Sequence, residues 1–276
     1  MRPTLFLVPV PLEAGMALAT LPESTLRVAR STRRYLAENA RSTRAFLKEI
    51  GHPLSIREIE IVEIGHSPAA GAFDDWLAAA HSAGDAVALA SEAGCPAIAD
   101  PGAPIVARAH AMGFIVRPMV GPSAILLALM ASGLEGQRFR FHGYLPQDPP
   151  QRAARLIEIE RESLAGESQA FIETPYRNGH LLEAILQHCA ATTRLCVAAG
   201  LTGAGEDVRM LSIAEWRALP AAARPQLDRR PAVFALQGAG AAARHAQRQE
   251  GSRTAARNDF AKRVPSRRAT RSSKSS

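Results

Sequence analysis

The chain is poor in aromatic residues and in cysteine. Of its 276 residues, 5% are aromatic and three are cysteine, namely Cys95, Cys189 and Cys196. No two of these cysteines have the CxxC spacing of a redox or zinc motif, and the eight histidines show no metal-ligand spacing. We therefore predict no metal site, and we expect each cysteine to be a small packed side chain in a reducing compartment.

Long apolar runs are absent too. No run reaches the ~18 residues that a membrane-spanning helix needs, and the N-terminal residues lack a basic region followed by a long apolar one. The sequence has no GxGxxG motif, which weighs against a Rossmann dehydrogenase or methyltransferase. A cytoplasmic location without membrane contact is expected, and a hydrophobic content of 47% is ample for a large core.

The net positive charge of the chain resides in one segment. Residues 241–276 contain ten Lys or Arg and two acidic residues, whereas the other 240 residues contain 23 basic and 24 acidic side chains. This basic tail has almost no large apolar residues, so it cannot form a core and is expected to be disordered. Two interpretations stay open for it, a contact with nucleic acid and a solvated extension without a partner.

The centre of the chain alternates apolar runs with glycine turns. Strands are predicted over residues 86–90 and 114–120, with a helix over residues 104–112 between them. Strand, loop and helix in this order are typical of a parallel sheet whose carboxyl ends line a ligand crevice. A long apolar helix follows Gly121-Pro122-Ser123, with Ser123 at its N-cap position.

Gly94 and Gly121 stand in the two loops of this central stretch. Glycine has no Cβ and lets the backbone approach a bound molecule closely. Free N–H groups at a helix N-terminus suit a carboxylate or a phosphate. A ligand site is therefore one interpretation, but glycine and proline also mark ordinary connections in any α/β fold.

Two α/β domains are predicted, with a boundary at the polar turn of residues 133–138. The domains are 1–134 and 135–240, and the basic tail 241–276 follows them. Further strands are predicted over residues 5–10, 35–38, 55–64, 139–145, 169–174, 195–199, 208–213 and 232–236, and further helices over residues 23–33, 69–82, 152–165, 181–189 and 214–217.

Three segments form a long, ordered series of motifs. They read SEAGCPAIADPG at residues 91–102, VRPMVGPSAILLALMASGL at residues 116–134 and RFRFHGYLP at residues 138–146. The series resembles the signature of the tetrapyrrole methylase superfamily, (S/G)DAGTPxISDPG, VxPxPGPSA, ALxxSGL and FxFxGFLP. Within that superfamily it resembles the branch of ribosomal RNA small-subunit cytidine 2′-O-methyltransferases.

The resemblance implies two α/β domains with S-adenosylmethionine bound in the cleft between them. It also implies ribosomal RNA or the small ribosomal subunit as partner, and homodimers are common in the family. It further implies that Arg41 and Arg177 bind the substrate. For each of these arginines, a structural salt bridge is the alternative role. At the positions that match the family, the resemblance implies that the following residues contact the cofactor: Pro11, Leu12, Glu92, Ala93, Gly94, Ser123, Ala124, Ile172, Leu201 and Leu236.

Two family motifs are changed in this chain. PxPxGNLxD is replaced by PVPLEAGMAL, and Arg-Glu-Leu-Thr is replaced by Ala199-Gly200-Leu201-Thr202. Methylation of a ribose hydroxyl requires removal of its proton, yet no residue is an evident general base. Glu38 is the single candidate for a catalytic role, while His66 is either substrate-facing or solvated, and Asp100 either borders the ligand or caps the following helix.

Three functions are compatible with these residues. The first is S-adenosylmethionine-dependent 2′-O-methylation of a cytidine in small-subunit ribosomal RNA. The second is a methyltransferase of the same fold that acts on a small molecule such as a tetrapyrrole. The third is a divergent, non-catalytic binding protein. The basic tail and the motif series favour the first, and the changed motifs favour the third.

Cutting the chain after Gly240 is expected to leave the melting temperature and the cofactor affinity nearly unchanged, because no core contact is lost. RNA affinity is expected to fall, most strongly at low salt. Each phosphate contact with a single strand contributes a slope of about −0.7 in log K against log salt, so four engaged side chains make the slope of the intact chain steeper by roughly 3 units. Filter binding over a salt series measures both slopes, and equal slopes would leave the tail a solvated extension.

Overall fold

The computed structural model describes residues 3–69 and 71–240 and contains two five-stranded sheets that follow one another along the chain. The first sheet consists of β1 (Thr4–Val8), β2 (Arg34–Ala37), β3 (Glu60–Glu63), β4 (Val87–Ala90) and β5 (Ile115–Pro118). The second sheet consists of β6 (Phe139–Tyr144), β7 (Ser168–Ile172), β8 (Arg194–Ala199), β9 (Asp207–Ser212) and β10 (Ala232–Gln237). The α-helices are α1 (Ala17–Thr20), α2 (Glu23–Ser31), α3 (Ala40–Glu49), α4 (Asp74–Ala83), α5 (Ala103–Ala111), α6 (Ala124–Ser132), α7 (Pro149–Ser163), α8 (Asn178–His188) and α9 (Ile213–Ala218). The predicted α/β class is confirmed.

The first sheet is parallel throughout and has the strand order β3-β2-β4-β1-β5. Successive side chains of a strand point to opposite faces, so alternate residues enter two separate cores. In β4, Ala88 and Ala90 join the core that contains residues of α2 and α3, while Val87 and Leu89 join the core that contains residues of α4 and α5. Because β4 is buried on both faces, its sequence is a continuous apolar run rather than an alternating one.

The second sheet is mixed and has the order β6-β7-β10-β8-β9. Its β6 and β7 are parallel, and its other neighbouring pairs are antiparallel. One face packs against α7, α8 and α9 around Phe171, Phe234 and Trp216. The Trp216 indole is fully buried but satisfied, because its N–H donates to the carbonyl of Leu195 at 2.9 Å.

Helix α6 packs against the second sheet although it follows the last strand of the first one. It contacts β8, β9 and β10, and its Ala128 lies against Ala198 and Val233. Ser123 caps its N-terminus, and Gly133, with φ of 63°, ends it in the left-handed conformation. Packing of α6 therefore joins the two sheets. The boundary after residue 134 stays a prediction.

The stretch predicted as one strand over residues 55–64 contains a turn followed by a shorter strand. Ser55 and Glu58 form a capping box around the 3-10 turn Ile56–Glu58, in which the Glu58 carboxylate accepts a hydrogen bond from the Ser55 N–H at 2.9 Å. The strand β3 begins only at Glu60. The alternation of apolar and charged residues predicted a strand here, but a capping box also places polar residues between apolar ones.

The other predicted strands and helices are present, with ends shifted by a few residues. Within the described residues, no helix is both long enough and apolar enough to cross a membrane. The basic tail 241–276 lies outside the described residues, so its predicted disorder stays a prediction.

The three cysteines are unpaired, as expected from their spacing. Cys189 and Cys196 are buried in the apolar clusters that pack on the second sheet. Burial raises the pKa of the Cys189 thiol to about 12 and that of the Cys196 thiol to about 11. Cys95 is half-buried, and burial raises the pKa of its thiol as well. Cys189 and Cys196 therefore behave as small packed side chains rather than as thiolates.

The space that a side chain of Gly121 would occupy is filled by protein, and the expectation that the backbone of Gly121 borders a ligand stays a prediction. A Cβ built on this glycine would overlap the Pro9 ring and lie 3.1 Å from Cδ2 of Leu21. Its missing side chain lets the segment after β5 pack directly on the segment after β1.

Replacing Gly121 by Ala is expected to destabilise the protein by about 1–3 kcal/mol, the usual cost of adding atoms to a packed site. Gly136→Ala is the matched control, since a Cβ at Gly136 meets no atom within 4 Å. Urea unfolding of both variants measures the difference. If the two variants unfold at the same midpoint, the close contact with Pro9 is not as described.

Candidate functional site

The candidate site lies where the carboxyl ends of the first sheet's strands meet the second sheet. The strand order places the loop after β4 between the loop after β2 and the loop after β1. Val10 after β1 and Gly94 after β4 form an antiparallel bridge, with N–O distances of 3.0 and 3.2 Å. Backbone hydrogen bonds therefore hold these two loops side by side.

Gly94 is the point at which three loops meet. Its φ is 75°, and a Cβ there would lie 3.1 Å from Cδ2 of Leu12 and 3.3 Å from the Pro122 carbonyl oxygen. The buried Ser91 hydroxyl donates to the Gly94 carbonyl at 2.9 Å, and the Cys95 thiol donates to the Pro122 carbonyl at 3.4 Å. A side chain at position 94 would be strained and crowded, so glycine is required here.

Four predicted cofactor residues meet in one apolar cluster, called the junction cluster below. Leu12 comes from the loop after β1 and Ala124 from the start of α6. Ile172 comes from the end of β7 and Leu201 from the loop after β8. Both sheets thus contribute to one surface. The remaining members of the junction cluster are Leu127, Ala128, Ala198, Val208 and Val233.

The other predicted cofactor residues lie beside this cluster, with one exception. Pro11 is buried next to Leu12, and Ser123 caps α6 just ahead of Ala124. Glu92 and Ala93 are exposed in the loop after β4, directly before Gly94.

The exception is Leu236. In β10, Val233 faces the junction cluster, whereas Phe234 and Leu236 face the core against α7, α8 and α9. Leu236 is fully buried in that core. Its side chain therefore lies on the wrong face of the second sheet for the site, because residues an odd number of positions apart in a strand point to opposite faces.

Thr202 is a polar residue at the junction that the position-by-position comparison left out. It follows Leu201, has a φ of 67°, and its hydroxyl oxygen is buried without a hydrogen-bond partner among the described residues. A buried hydroxyl without a partner is costly, and such an atom suits contact with a ligand. The sequence signal was present, since Leu201-Thr202 is the retained half of the Arg-Glu-Leu-Thr motif.

The loop after β8 packs against the loop after β1. A Cβ at Gly203 would overlap the Glu13 carboxylate, and a Cβ at Gly205 would overlap the Arg230 guanidinium. Arg230 also donates from Nη1 to the Gly205 carbonyl at 2.9 Å. The two glycines therefore let charged side chains lie directly on the loop backbone.

Glu38, the candidate for a catalytic role, is a mostly buried carboxylate after β2. Its Oε2 accepts a hydrogen bond from the Glu92 N–H at 2.8 Å. Its Oε1 lies 3.4 Å from Nδ1 of His66. Both oxygens are engaged, so Glu38 is placed to position other groups, and His66 is brought to the edge of the site.

Arg41 and Arg177 have different surroundings. Arg41 is exposed in the first turn of α3 and forms no ion pair with the residues that the structure describes. Arg177 pairs with the fully buried Glu173 at 2.6 Å and donates to the Thr174 hydroxyl at 3.2 Å. The ion-pair alternative is thus present for Arg177 and missing for Arg41.

Asp100 organises the loop after β4. Its Oδ1 accepts hydrogen bonds from the N–H groups of Ala97 and Gly102, both at 2.7 Å. The N-cap of α5 is Gly102, so Asp100 stabilises the turn rather than capping the helix itself. Burial raises the pKa of Asp100; the two hydrogen bonds oppose that rise, and the negative charge of Glu38 adds to it.

No group of three or more His, Cys, Asp or Glu side chains is placed to hold a metal ion within residues 3–69 and 71–240. The candidate site therefore consists of apolar side chains, loop backbone and a few carboxylates at one edge of the first sheet.

Residues 24–216 match the family model of the Tetrapyrrole (Corrin/Porphyrin) Methylases. The chain belongs to this family. The family predicted from the motif series is confirmed, and so is the enzyme class, because the members of the family are methyltransferases.

Two relatives illustrate the similarity within the tetrapyrrole methylases. The ribosomal RNA small subunit methyltransferase I of Vibrio cholerae is 30% identical over 213 residues, which cover 77% of this chain and 70% of the relative. The protein of the same name from Mesorhizobium japonicum is 32% identical over 212 residues, which cover 76% of this chain and 67% of the relative.

Solved structures of other methyltransferases share the fold. The uroporphyrin-III-C-methyltransferase of Thermus thermophilus aligns with a TM-score of 0.51 at 18% identity, covering 88% of this chain and 95% of that one. The methyltransferase CobJ aligns with a TM-score of 0.56 at 13% identity, covering 86% and 95%. At these identities the likeness shows the fold alone, and it confirms the predicted tetrapyrrole-methylase-like architecture.

Replacing Asp100 by Asn is expected to change stability in a pH-dependent way. Asn keeps an oxygen that can accept both N–H groups but carries no charge to bury. Because the folded-state pKa of Asp100 is raised, the wild type loses stability as the pH rises through the interval between the ordinary and the folded pKa. The Asn variant lacks this loss, so its free energy of unfolding should increase relative to that of the wild type as the pH rises.

Urea unfolding of both proteins from about pH 4 to about pH 7 measures the effect. Asp100→Ala, which lacks the acceptor oxygen as well as the charge, should be less stable than Asp100→Asn by about 1–3 kcal/mol at every pH. A pH-independent difference between wild type and Asp100→Asn would contradict the assignment of a buried charge.

Proposed function

We propose that this methyltransferase transfers a methyl group from S-adenosylmethionine to the 2′-oxygen of a cytidine in small-subunit ribosomal RNA. The observation that carries the proposal is the match to relatives named ribosomal RNA small subunit methyltransferase I over 70% and 67% of their lengths. The choice of a cytidine 2′-oxygen rests on the motif series, which resembles that branch of the family.

The residues at the junction fit a cofactor with an apolar body and a few polar atoms. The junction cluster offers apolar side chains from both sheets, and the Thr202 hydroxyl is a buried polar atom without a partner in the described chain. When bound, S-adenosylmethionine supplies a methyl group that its sulfonium already activates. We assign its contacts to Pro11, Leu12, Glu92, Ala93, Gly94, Ser123, Ala124, Ile172, Leu201 and Thr202, and we remove Leu236 from the set.

The remaining tasks of the protein are to orient the ribose, exclude water and accept a proton. Arg41 is proposed to bind an RNA phosphate, because its guanidinium is exposed and has no ion pair among the described residues. Arg177 is occupied by Glu173, and its contact with the substrate stays a prediction.

The proposed partner is the small ribosomal subunit or its RNA, in the cytoplasm. A homodimer is proposed as well, and exposed apolar side chains support it. Leu126 and Met130, 49% and 78% exposed, lie one turn apart on α6, and Phe139 at the start of β6 is 38% exposed. Sedimentation of the purified chain at several concentrations would refute the dimer if it gave the mass of a single copy throughout.

The decisive experiment for the activity supplies labelled S-adenosylmethionine and small ribosomal subunits that lack the modification. Label is expected in the RNA, on a 2′-O-methylated cytidine after digestion. Label in a tetrapyrrole but not in RNA would establish the small-molecule alternative. Cofactor binding without transfer to either substrate would favour a non-catalytic binding protein.

Calorimetric titration with S-adenosylmethionine tests the cofactor site. The isosteric change Thr202→Val is expected to weaken binding by about 0.5–1.5 kcal/mol, the net contribution of one hydrogen bond. Thr43→Val is the matched control, because Thr43 also has a buried hydroxyl without a partner among the described residues but lies in α3. Unchanged affinity of Thr202→Val would remove Thr202 from the site.

A further inference from the structure

His66 and Glu38 form a pair at the carboxyl edge of the first sheet. His66 follows β3 and Glu38 follows β2, and these two parallel strands are neighbours in the sheet. Nδ1 of His66 lies 3.4 Å from Oε1 of Glu38; the histidine side chain is 77% exposed, and the glutamate side chain is 13% exposed. One ring nitrogen thus meets a largely buried carboxylate while most of the ring faces solvent.

The loop after β4 fixes the position of Glu38. The Glu38 N–H donates to the Ala90 carbonyl at 3.0 Å, and Oε2 accepts the Glu92 N–H at 2.8 Å. Glu92 lies two residues before Gly94, whose backbone forms the bridge with Val10. Hydrogen bonds therefore connect the pair to the same loops that border the junction cluster.

A carboxylate beside Nδ1 selects one state of the imidazole. It favours the tautomer with the proton on Nδ1, and this leaves the lone pair on Nε2. An imidazole can act as a general base when a carboxylate orients it through one ring nitrogen and the lone pair of the other nitrogen is accessible. Arg41, exposed three residues after Glu38, places a cation near this edge to receive a neighbouring phosphate.

We propose that His66 is the general base of the methyl transfer and that Glu38 is its positioning residue; this inference rests on the proposed function. The ribose 2′-oxygen forms the new bond to the methyl carbon while the carbon–sulfur bond of the donor breaks and its electron pair stays on sulfur. The hydroxyl proton passes to Nε2 of His66 and from there to solvent. The products are a 2′-O-methyl ribose, a neutral thioether and one proton.

The rate of methyl transfer should therefore depend on pH. His66 acts only when Nε2 is unprotonated, so the rate should rise with pH along an acid limb and then level off. Charged residues close to the carboxyl ends of β2, β3 and β4 include Glu38 after β2, Glu63 at the end of β3, Arg41 in the first turn of α3, and Glu92 and Asp100 in the loop after β4.

Two substitutions test the pair in full-length protein. His66→Ala is expected to lower kcat by on the order of 10²-fold or more and to remove the acid limb, with KM and cofactor affinity unchanged. Glu38→Gln keeps an oxygen for the Glu92 N–H but turns an amide NH₂ toward Nδ1. That donor forces the proton onto Nε2, so kcat should fall while the fold is retained.

The control is His110→Ala. His110 is an exposed histidine in the last turn of α5, which leads to the amino end of β5 and not to the site. It should leave both kcat and the pH profile unchanged.

Nitrogen-15 NMR of the His66 ring gives a readout that is independent of activity. The wild type should show the proton on Nδ1 at neutral pH, and Glu38→Gln should show it on Nε2. A wild-type proton on Nε2 overturns the proposal, as does a His66→Ala variant with the kcat and acid limb of the wild type. A wild type that binds cofactor but methylates no RNA refutes the proposed function instead, and the tautomer measurement then decides the pair by itself.

Discussion

The packing of α6 on the second sheet is the contact on which the rest of the site depends. The segment before α6 leaves β5 in the first sheet, yet the helix buries Ala128 against Ala198 and Val233 of the second. This draws the loops that end the strands of the first sheet toward the ends of β7 and β8. Leu12 and Leu201 lie in one cluster with these residues of α6 and the second sheet.

The two motifs that depart from the family pattern are neighbours in space. Glu13 belongs to the changed segment after β1, and its carboxylate lies on the backbone of Gly203, just beyond the changed segment after β8. Gly200, where the family has glutamate, has a φ of 59°, which a glutamate would adopt only with strain. A side chain at Gly203 would overlap the Glu13 carboxylate and disturb the contact between the two loops.

In each sheet, a largely buried glutamate directly after a strand accepts a backbone N–H of a loop. Glu38 follows β2 and accepts the Glu92 N–H, while Glu173 follows β7 and accepts the Thr174 N–H at 2.6 Å. Each also lies against a nitrogen side chain, His66 in the first case and Arg177 in the second. Their difference is exposure, since the imidazole of His66 reaches solvent and the Arg177 guanidinium is mostly covered.

Local patterns in the sequence were sufficient for the fold class, most strands and helices, and the family. Apolar runs, helical periodicity and glycine turns act over a few residues, so a single segment reveals them. The resemblance to the family also named Leu12, Ala124, Ile172 and Leu201, which the structure gathers into one cluster.

The tertiary structure alone decided which way several residues face. It turned Leu236 into the opposite core, set Gly121 against Pro9 and paired His66 with Glu38. It also left the Thr202 hydroxyl without a partner among the residues that the structure describes. These outcomes depend on strand order and on the face each strand presents, and both arise from contacts between segments far apart in the chain, which no local pattern contains.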